Sequence, residues 1–288
     1  MSEQPGPLRR WVLAARPRTL PAALVPVALG AGQVRPASIN WVASILCVAV
    51  ALLLQIGTNY ANDYSDGRRG TDEQRVGPFR LTASGLTSPG AVRAAAWTCF
   101  GAAGVAGLAL AALSTWWLLP IGASAVAAGW FYTGGPKPYG YYGFGELFVM
   151  IYFGFVATVG TSYVQHGQIS PSAWWWGAGA GAMACALLEA NNLRDVDGDR
   201  LAGKHTLAAR LGRERGAWLY AAWVAVLVLA VALAGDWVVA LVGLILYVPG
   251  LRVAFSSRRG RELLVLLATS ARAQLVLGAT ALAAFALR

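Results

Sequence analysis

Long apolar runs separated by short polar stretches make up most of this chain from residue 20 onward. Most runs are near the ~20 residues that an α-helix needs to cross ~30 Å of hydrocarbon, so the pattern predicts transmembrane helices. The first run is as short as the apolar part of a signal peptide, but its prolines and the many later runs favour a bent first span. We predict one all-α membrane domain over residues 1–288, with nine transmembrane helices at about 20–32, 39–61, 92–112, 114–132, 146–165, 173–191, 217–234, 237–254 and 263–287.

The composition agrees with this pattern. Hydrophobic residues make up 57% of the chain and charged residues 12%, which excludes an ordinary soluble domain. The net charge of +10 would suggest nucleic acid as a partner of a soluble protein. In a membrane protein, the position of the basic residues instead indicates which loops face the cytoplasm. Cys47, Cys99 and Cys185 are isolated within apolar runs, so neither a disulfide framework nor a cysteine metal site is expected.

The basic residues are unevenly distributed between the two predicted sides of the membrane. If the N-terminus is inside, all but three of the 23 basic residues, Arg35, Arg272 and Arg288, fall on that side. This distribution follows the positive-inside rule, so we expect the longer polar loops to face the cytoplasm. Topology alone would also account for most of these arginines.

The first polar cluster lies where the apolar run 39–61 ends. Its members are spaced by three, four and seven residues, which places them on one face of a helix: Asn59, Asn62, Asp63 and Asp66. Asp63 lies at the edge of this face, where it could support the site or cap the helix instead of binding a ligand. Gly67 and Gly70 are expected to end this helix. A second cluster of the same design follows the run 173–191, and its face carries Glu189, Asn192, Asp195 and Asp199. Here Asp197 and Gly198 are expected to mark the helix end.

These clusters have the chemistry of a metal-bridged diphosphate site. Carboxylate and amide oxygens suit Mg²⁺, which prefers one or two carboxylates together with phosphate oxygens and water. Guanidinium groups bind phosphate oxygens in bidentate fashion, and basic residues flank both clusters: Arg68, Arg69, Arg75, Arg80, Arg194, Arg200, Lys204 and His205. At the mouth of a helical bundle, such a site would hold the head of a lipid diphosphate while its tail lies between helices.

A third informative stretch runs from Tyr132 to Glu146. Its glycines, prolines and tyrosines preclude an ordinary helix, and Lys137 lies alone among aromatic residues. Lys137 could reach a diphosphate or an aromatic acceptor, and Tyr139 is a further candidate. A tight interfacial turn anchored by tyrosines is equally compatible with this sequence.

Both clusters resemble the motifs of the UbiA superfamily of intramembrane aromatic prenyltransferases. The motif Asn-Asp-x-x-Asp of that family matches Asn62, Asp63 and Asp66, and its second motif matches Asn192, Asp195 and Asp199. Three longer stretches resemble the branch that prenylates 1,4-dihydroxy-2-naphthoate in menaquinone synthesis: NDYSDGRRGTDEQRVGPFRLTASGL, YTGGPKPYGYYGFGE and NNLRDVDGDRLAGKHTLAARLG. Many relatives carry an acid where this chain has Gly70, and Asp72 could substitute for it.

The resemblance implies an enzyme of the bacterial plasma membrane whose active site faces the cytoplasm. It would use Mg²⁺ to transfer a polyprenyl group from its diphosphate to dihydroxynaphthoate, with loss of CO₂ and diphosphate. The implied metal ligands are Asn62, Asp63, Asp66, Asp72, Asn192, Asp195 and Asp199. The implied substrate-binding residues are Asn59, Arg68, Arg75, Arg80, Arg194, Lys204 and Tyr139. The candidate catalytic residues are Asp66, Asp195 and Lys137.

Three other functions remain open at this point. The same chemistry could act on another aromatic acceptor, such as 4-hydroxybenzoate or homogentisate. Carboxylates at membrane depth also occur in transporters, where they mark ion routes. A lipid-binding scaffold would bind prenyl diphosphate without turnover.

Overall fold

The computed structural model describes residues 5–71 and 79–287, and this part of the chain is built from helices and connecting loops. The α-helices are α1 (Pro7–Ala14), α2 (Pro21–Ala31), α3 (Trp41–Arg69), α4 (Pro89–Leu113), α5 (Leu118–Phe131), α6 (Gly145–Val149), α7 (Gly160–His166), α8 (Pro171–Leu201), α9 (Leu207–Leu233), α10 (Trp237–Ala254) and α11 (Leu264–Ala286). A π-helical segment, Met150–Val159, joins α6 to α7. Short 3₁₀ turns occupy Pro17–Thr19, Pro36–Ser38, Tyr139–Tyr142 and Gly260–Leu263. The prediction of an all-α fold is confirmed.

Nine membrane-spanning helices are not confirmed by length and composition. Within the described ranges, six helices are long and apolar enough, and the pair Pro7–Thr19 and Pro21–Ala31, bent by 53°, raises the number to seven. Helix α5 has 14 residues and is therefore about 21 Å long, which is short for a span. Helix α8 falls outside the six because its glycines, tryptophans and terminal charges dilute its apolar character.

The two helices that carry the polar clusters end later than the sequence suggests. Helix α3 continues through Gly67, so the prediction that Gly67 ends it is wrong, whereas Gly70 is its left-handed C-cap at φ 72°. Helix α8 runs through Asp197 and Gly198 to Leu201, so that predicted end is also wrong. A glycine inside a helix costs only about 1 kcal/mol, which packing against neighbouring helices offsets.

Helix α8 is the centre of the bundle. It packs against α9, the π-helical segment, α2 and α11. A Cβ atom on Gly154 of the π-helical segment would lie 2.7 Å from the carbonyl oxygen of Gly177, so glycine is needed for this close approach of two backbones. The approach brings α6 and the loop before it against the middle of α8.

Large apolar side chains cover much of the outer surface. Most belong to the helices suited to crossing a membrane, and they include Trp41, Ile45, Trp97, Val105, Trp218, Val238, Leu241 and Ile245. Such extensive apolar exposure is incompatible with a water-facing surface and typical of one that faces lipid. With several apolar helices, the chain is a multi-pass membrane protein.

Candidate functional site

The two polar clusters meet in one cavity of about 380 Å³. Asn62 and Asp66 line it from the last turns of α3, and Asn192 and Asp199 line it from the last turns of α8. All four residues are buried within the protein. Motifs that are half the chain apart in sequence therefore face a common space.

Basic residues outnumber the acids in the lining of this polar cavity. Arg80, Arg194 and Lys204, which the sequence singled out, line it together with Arg16 and Arg18 of the N-terminal segment. Among the described residues of this lining, two carry carboxylates, Asp66 and Asp199. An excess of positive charge in a partly enclosed cavity favours a polyanionic ligand.

Asp66 is bonded to several side chains of this site. Its Oδ1 accepts a hydrogen bond of 2.7 Å from the Tyr141 hydroxyl, and its Oδ2 lies 2.9 Å from Lys204 Nζ and 3.8 Å from Arg80 Nη2. The Lys204 ammonium also lies 4.7 Å from the centre of the Tyr141 ring. Burial, together with the nearby Asp66 carboxylate, raises the pKa of Tyr141, so this hydroxyl stays protonated and continues to donate.

Asp195, the middle residue of the α8 motif, forms an ion pair with the neighbouring arginine. Arg194 Nε and Nη2 donate to the two oxygens of Asp195 at 2.8 and 2.6 Å, and both side chains are buried. Arg194 lines the polar cavity, whereas Asp195 does not. Among the described residues, Arg194 Nη1 has no hydrogen-bond partner. The pair therefore presents an oriented guanidinium to a ligand.

Asp63, the middle residue of the α3 motif, fixes the conformation of a loop. The backbone N–H groups of Leu81 and Thr82 donate to the two oxygens of Asp63 at 2.7 and 2.9 Å. Asp63 is buried and lines neither cavity of the site. Because Arg80 directly precedes this pair of N–H groups, Asp63 fixes the loop that carries Arg80 into the polar cavity.

The amides of both motifs are also held by neighbouring side chains. The Thr133 hydroxyl donates to Asn62 Oδ1 at 2.8 Å, and Asn192 Nδ2 donates to Glu146 Oε1 at 3.0 Å. Asn59 Nδ2 donates to the carbonyl oxygen of Ala15 at 2.9 Å. Each amide thus has a fixed orientation.

Other residues singled out from the sequence lie elsewhere. Lys137 and Arg68 are exposed and line neither cavity, and Arg68 Nη1 donates to the Tyr64 hydroxyl at 3.0 Å. The hydroxyl of Tyr139 donates to the carbonyl oxygen of Ala128 at 2.9 Å, and burial raises the pKa of Tyr139. Asp72 and Arg75 lie outside the described residues.

The donor set fits Mg²⁺ when a ligand completes it. In residues 5–71 and 79–287, no three His, Cys, Asp or Glu side chains are grouped closely enough to hold a metal by themselves. The described lining of the polar cavity instead offers two carboxylates and three amides, all with oxygen donors. Mg²⁺ is commonly held by one or two carboxylates, with phosphate oxygens and water in the remaining positions.

A second, mainly apolar cavity of about 500 Å³ adjoins the polar one. It lies between α2, α3, α4, α5 and the π-helical segment, and Tyr139, Phe148 and Tyr152 are among its aromatic residues. Residues that line both cavities mark their junction: Arg16, Thr19, Asn62, Tyr132, Leu188 and Asn191. A ligand with a charged head and a long apolar tail fits this pair of spaces.

Sequence reasoning missed the contribution of the N-terminal segment and of Tyr141. Among the described residues, Arg16 is the one non-glycine residue with positive φ, at 55°. Strained backbone of this kind is concentrated at functional sites. The sequence signal for an unusual backbone at Arg16 was its position directly before Pro17, because a residue before proline is sterically restricted. The arginines of this segment were instead attributed to membrane topology.

Comparisons with known proteins point to one family. Residues 23–264 match the UbiA prenyltransferase family. A Mycobacterium tuberculosis protein named 1,4-dihydroxy-2-naphthoate octaprenyltransferase is 48% identical over 275 residues, which cover 93% of each chain. An Escherichia coli protein of the same name is 34% identical over 70% of this chain and 68% of its own length.

Solved structures have the same fold. A UbiA homologue from Aeropyrum pernix superposes with a TM-score of 0.68 at 17% identity, over 94% of this chain and 96% of its own. A UbiA homologue from Archaeoglobus fulgidus, solved with DMAPP and Mg²⁺, gives a TM-score of 0.68 at 15% identity, over 97% of this chain and all of its own.

Proposed function

Because this chain belongs to the UbiA prenyltransferase family, we propose that it transfers a polyprenyl group from its diphosphate to 1,4-dihydroxy-2-naphthoate. The products are the demethylmenaquinol, CO₂ and diphosphate, in a step of menaquinone synthesis. The observation that carries the proposal is the junction of a strongly basic cavity with an apolar one. The names of the relatives at 48% and 34% identity support the choice of acceptor.

The diphosphate head of the donor is assigned to the polar cavity. Arg194 offers Nη1, and Arg80 and Lys204 are within the same lining. Asn62, Asp66, Asn192 and Asp199 would hold Mg²⁺ against the diphosphate oxygens, where the ion would neutralise the charge that develops as the diphosphate leaves. The isoprenoid tail then occupies the apolar cavity.

The reaction begins with departure of the diphosphate. The allylic C–O bond breaks, and its electron pair leaves with the diphosphate, whose growing negative charge the arginines stabilise. The resulting allylic cation would lie at the junction, which Tyr132 lines and which adjoins Tyr139 of the apolar cavity. Ring faces stabilise a nearby cation.

The acceptor ring supplies the new bond. Its electron pair forms a C–C bond with the cation, and the bond to the carboxylate then breaks. The electron pair of that bond returns to the ring as CO₂ leaves, which restores aromaticity. The carboxylate is already deprotonated, so this chemistry requires no strong base from the protein.

The membrane arrangement is part of the proposal. We assign nine spans, counting the bent pair as one, the α6–π–α7 segment as one, and α5 and α8 as spans held within the bundle. The polar cavity faces the cytoplasm of a bacterial plasma membrane, because the basic loops follow the positive-inside rule. A short span such as α5 is tolerated when neighbouring helices hold it.

The test is turnover of the purified protein in detergent with Mg²⁺, a short prenyl diphosphate and dihydroxynaphthoate. The expected product is the prenylated ring without its carboxylate, formed together with CO₂ and abolished by EDTA. Parallel reactions with 4-hydroxybenzoate and homogentisate should give no product, and product from one of them alone would reassign the acceptor. Binding of the diphosphate without turnover of any acceptor would overturn the enzyme proposal in favour of a scaffold or a transporter.

A further inference from the structure

Two buried acids behind the polar cavity have no role in the chemistry above. Glu146 is 3% exposed, and Glu189 is fully buried. Glu146 lies in the first turn of α6, directly before the π-helical segment, and Glu189 lies on α8, three residues before Asn192. Burying a carboxyl group costs folding free energy unless the group is hydrogen-bonded, so the partners of both acids are informative.

Glu146 contacts two residues of α8, one through its backbone carbonyl and one through its side chain. The Cys185 thiol contacts the carbonyl oxygen of Glu146 at 3.3 Å, and Asn192 Nδ2 donates to Glu146 Oε1 at 3.0 Å. Cys185 and Asn192 are seven residues apart on one face of α8. Gly145 allows this approach, because a Cβ atom there would lie 3.3 Å from the Leu188 side chain.

The bond to Glu146 decides which way the Asn192 amide points. An amide carries its donor and its acceptor on separate arms, and a carboxylate oxygen accepts but does not donate. With Nδ2 facing Glu146, the Oδ1 atom is left for the cavity that Asn192 lines. Oxygen is the atom that Mg²⁺ takes from an amide.

We infer that Glu146 is a positioning residue for Mg²⁺, because its carboxylate holds the Asn192 amide with the oxygen directed to the polar cavity. This inference rests on the proposed function. It adds a residue outside both Asp-rich motifs to the metal site, and this residue reaches the ion only through Asn192. Outer partners of metal ligands typically contribute 10- to 100-fold in metal affinity or activity.

Glu189 provides a matched control. It lies on the same face of α8, is equally buried, and has neither oxygen hydrogen-bonded among the described residues. Its Oε1 instead lies against α9, 3.0 Å from the position of a Cβ atom on Gly216. Glu189→Gln removes a buried carboxyl group without changing the bond to Asn192.

The experiment measures Mn²⁺ binding by the decrease in the EPR signal of free Mn²⁺, with a non-reactive prenyl thiodiphosphate present. Glu146→Met removes the acceptor for Asn192 Nδ2 and should weaken Mn²⁺ binding about 10- to 100-fold. Glu146→Gln keeps one acceptor oxygen but no longer forces the Asn192 NH₂ group to face it, so it should weaken binding less. Glu189→Gln should leave Mn²⁺ binding unchanged. In turnover assays, the two Glu146 variants should need more Mg²⁺ for half-maximal rate, while kcat at saturating Mg²⁺ changes less.

A reversal of the hydrogen bond tests the mechanism directly. Asn192→Asp alone places two carboxylates together and should weaken metal binding. Combined with Glu146→Gln, the introduced glutamine can donate to the introduced carboxylate, so the double variant should regain most of the lost affinity. Recovery of this kind also excludes simple misfolding of the single variants.

The failures can be told apart. If the wild-type protein binds no Mn²⁺ with the thiodiphosphate, the proposed function fails. If the wild-type protein binds it and both Glu146 variants bind equally well, only the role of Glu146 is overturned. Equal weakening by Glu189→Gln, or no recovery in the double variant, would also overturn it, because either result would indicate a general effect of the buried acids.

Discussion

The C-terminal ends of α3 and α8 each position an arginine at the polar cavity, but by different contacts. In each motif an amide and the last acid line the polar cavity, and the acid between them does not. The middle acid of α8, Asp195, binds the side chain of Arg194 directly. The middle acid of α3, Asp63, binds backbone N–H groups beside Arg80. Each motif therefore sets an arginine at the cavity, one through an ion pair and one through a loop.

This difference shows that the acids of an Asp-rich motif need not all bind metal. A carboxylate that accepts two backbone hydrogen bonds has its strongest acceptor directions occupied. The prediction that Asp63 and Asp195 bind metal stays a prediction, and the contacts favour positioning roles for both. Substitutions in the two motifs should separate these roles.

The largest effect is expected from Asp66→Asn. The change keeps the size of the side chain but removes the charge that Lys204 and Arg80 face in the polar cavity. Turnover should fall about 100- to 1000-fold, as for loss of one main electrostatic contact of a transition state. The assay follows prenylated product at saturating Mg²⁺. Near-wild-type turnover would remove Asp66 from the site.

Asp195→Asn should have a smaller effect of a different kind. Arg194 would lose its bidentate partner and its fixed orientation, so we expect KM for the prenyl diphosphate to rise about tenfold, a loss of about 1.4 kcal/mol in binding. The Mg²⁺ concentration for half-maximal rate should stay nearly constant. A large rise in that Mg²⁺ requirement would instead identify Asp195 as a metal ligand.

Asp63→Asn should affect stability more than chemistry. The amide can accept only one of the two backbone hydrogen bonds, and its NH₂ group would face the other N–H donor. A loss of about 1–3 kcal/mol in the free energy of unfolding is expected, measured as a lower melting temperature in detergent. A prenyl diphosphate at saturation should restore part of the lost melting temperature, since in the proposed function it is bound in the cavity that Arg80 lines.

Lys137→Ala should have the smallest effect, within about twofold of wild-type turnover, because exposed side chains outside a site contribute little. The matched comparison is Lys204→Ala, which removes a buried lysine bonded to Asp66 and should reduce turnover by at least about tenfold. Similar losses in both variants would restore Lys137 as a candidate catalytic residue.

The sequence was sufficient for the all-α fold, the family and the motif residues Asn62, Asp66, Asn192 and Asp199. The fold and the positions of the motif residues follow from apolar run lengths and from helical spacing, which are local properties, whereas the family follows from the resemblance of the motifs to those of known members. The roles of Asp63 and Asp195 could not be read in this way, because they depend on where Leu81 and Arg194 lie. Tyr141 lines the polar cavity from a loop, and Glu146 contacts Asn192 from the first turn of α6; no spacing rule encodes either contact.

The junction of the two cavities has a consequence for how the products separate. The proposed reaction breaks the allylic C–O bond of the donor near that junction, so the diphosphate and the isoprenoid are left in different surroundings. Diphosphate remains among cations and can leave only toward water, whereas the prenylated ring has lost its carboxylate and is soluble in lipid. We therefore expect the two products to leave in different directions. Diphosphate enters the aqueous phase, and the quinol moves laterally into the bilayer, where other membrane enzymes can reach it.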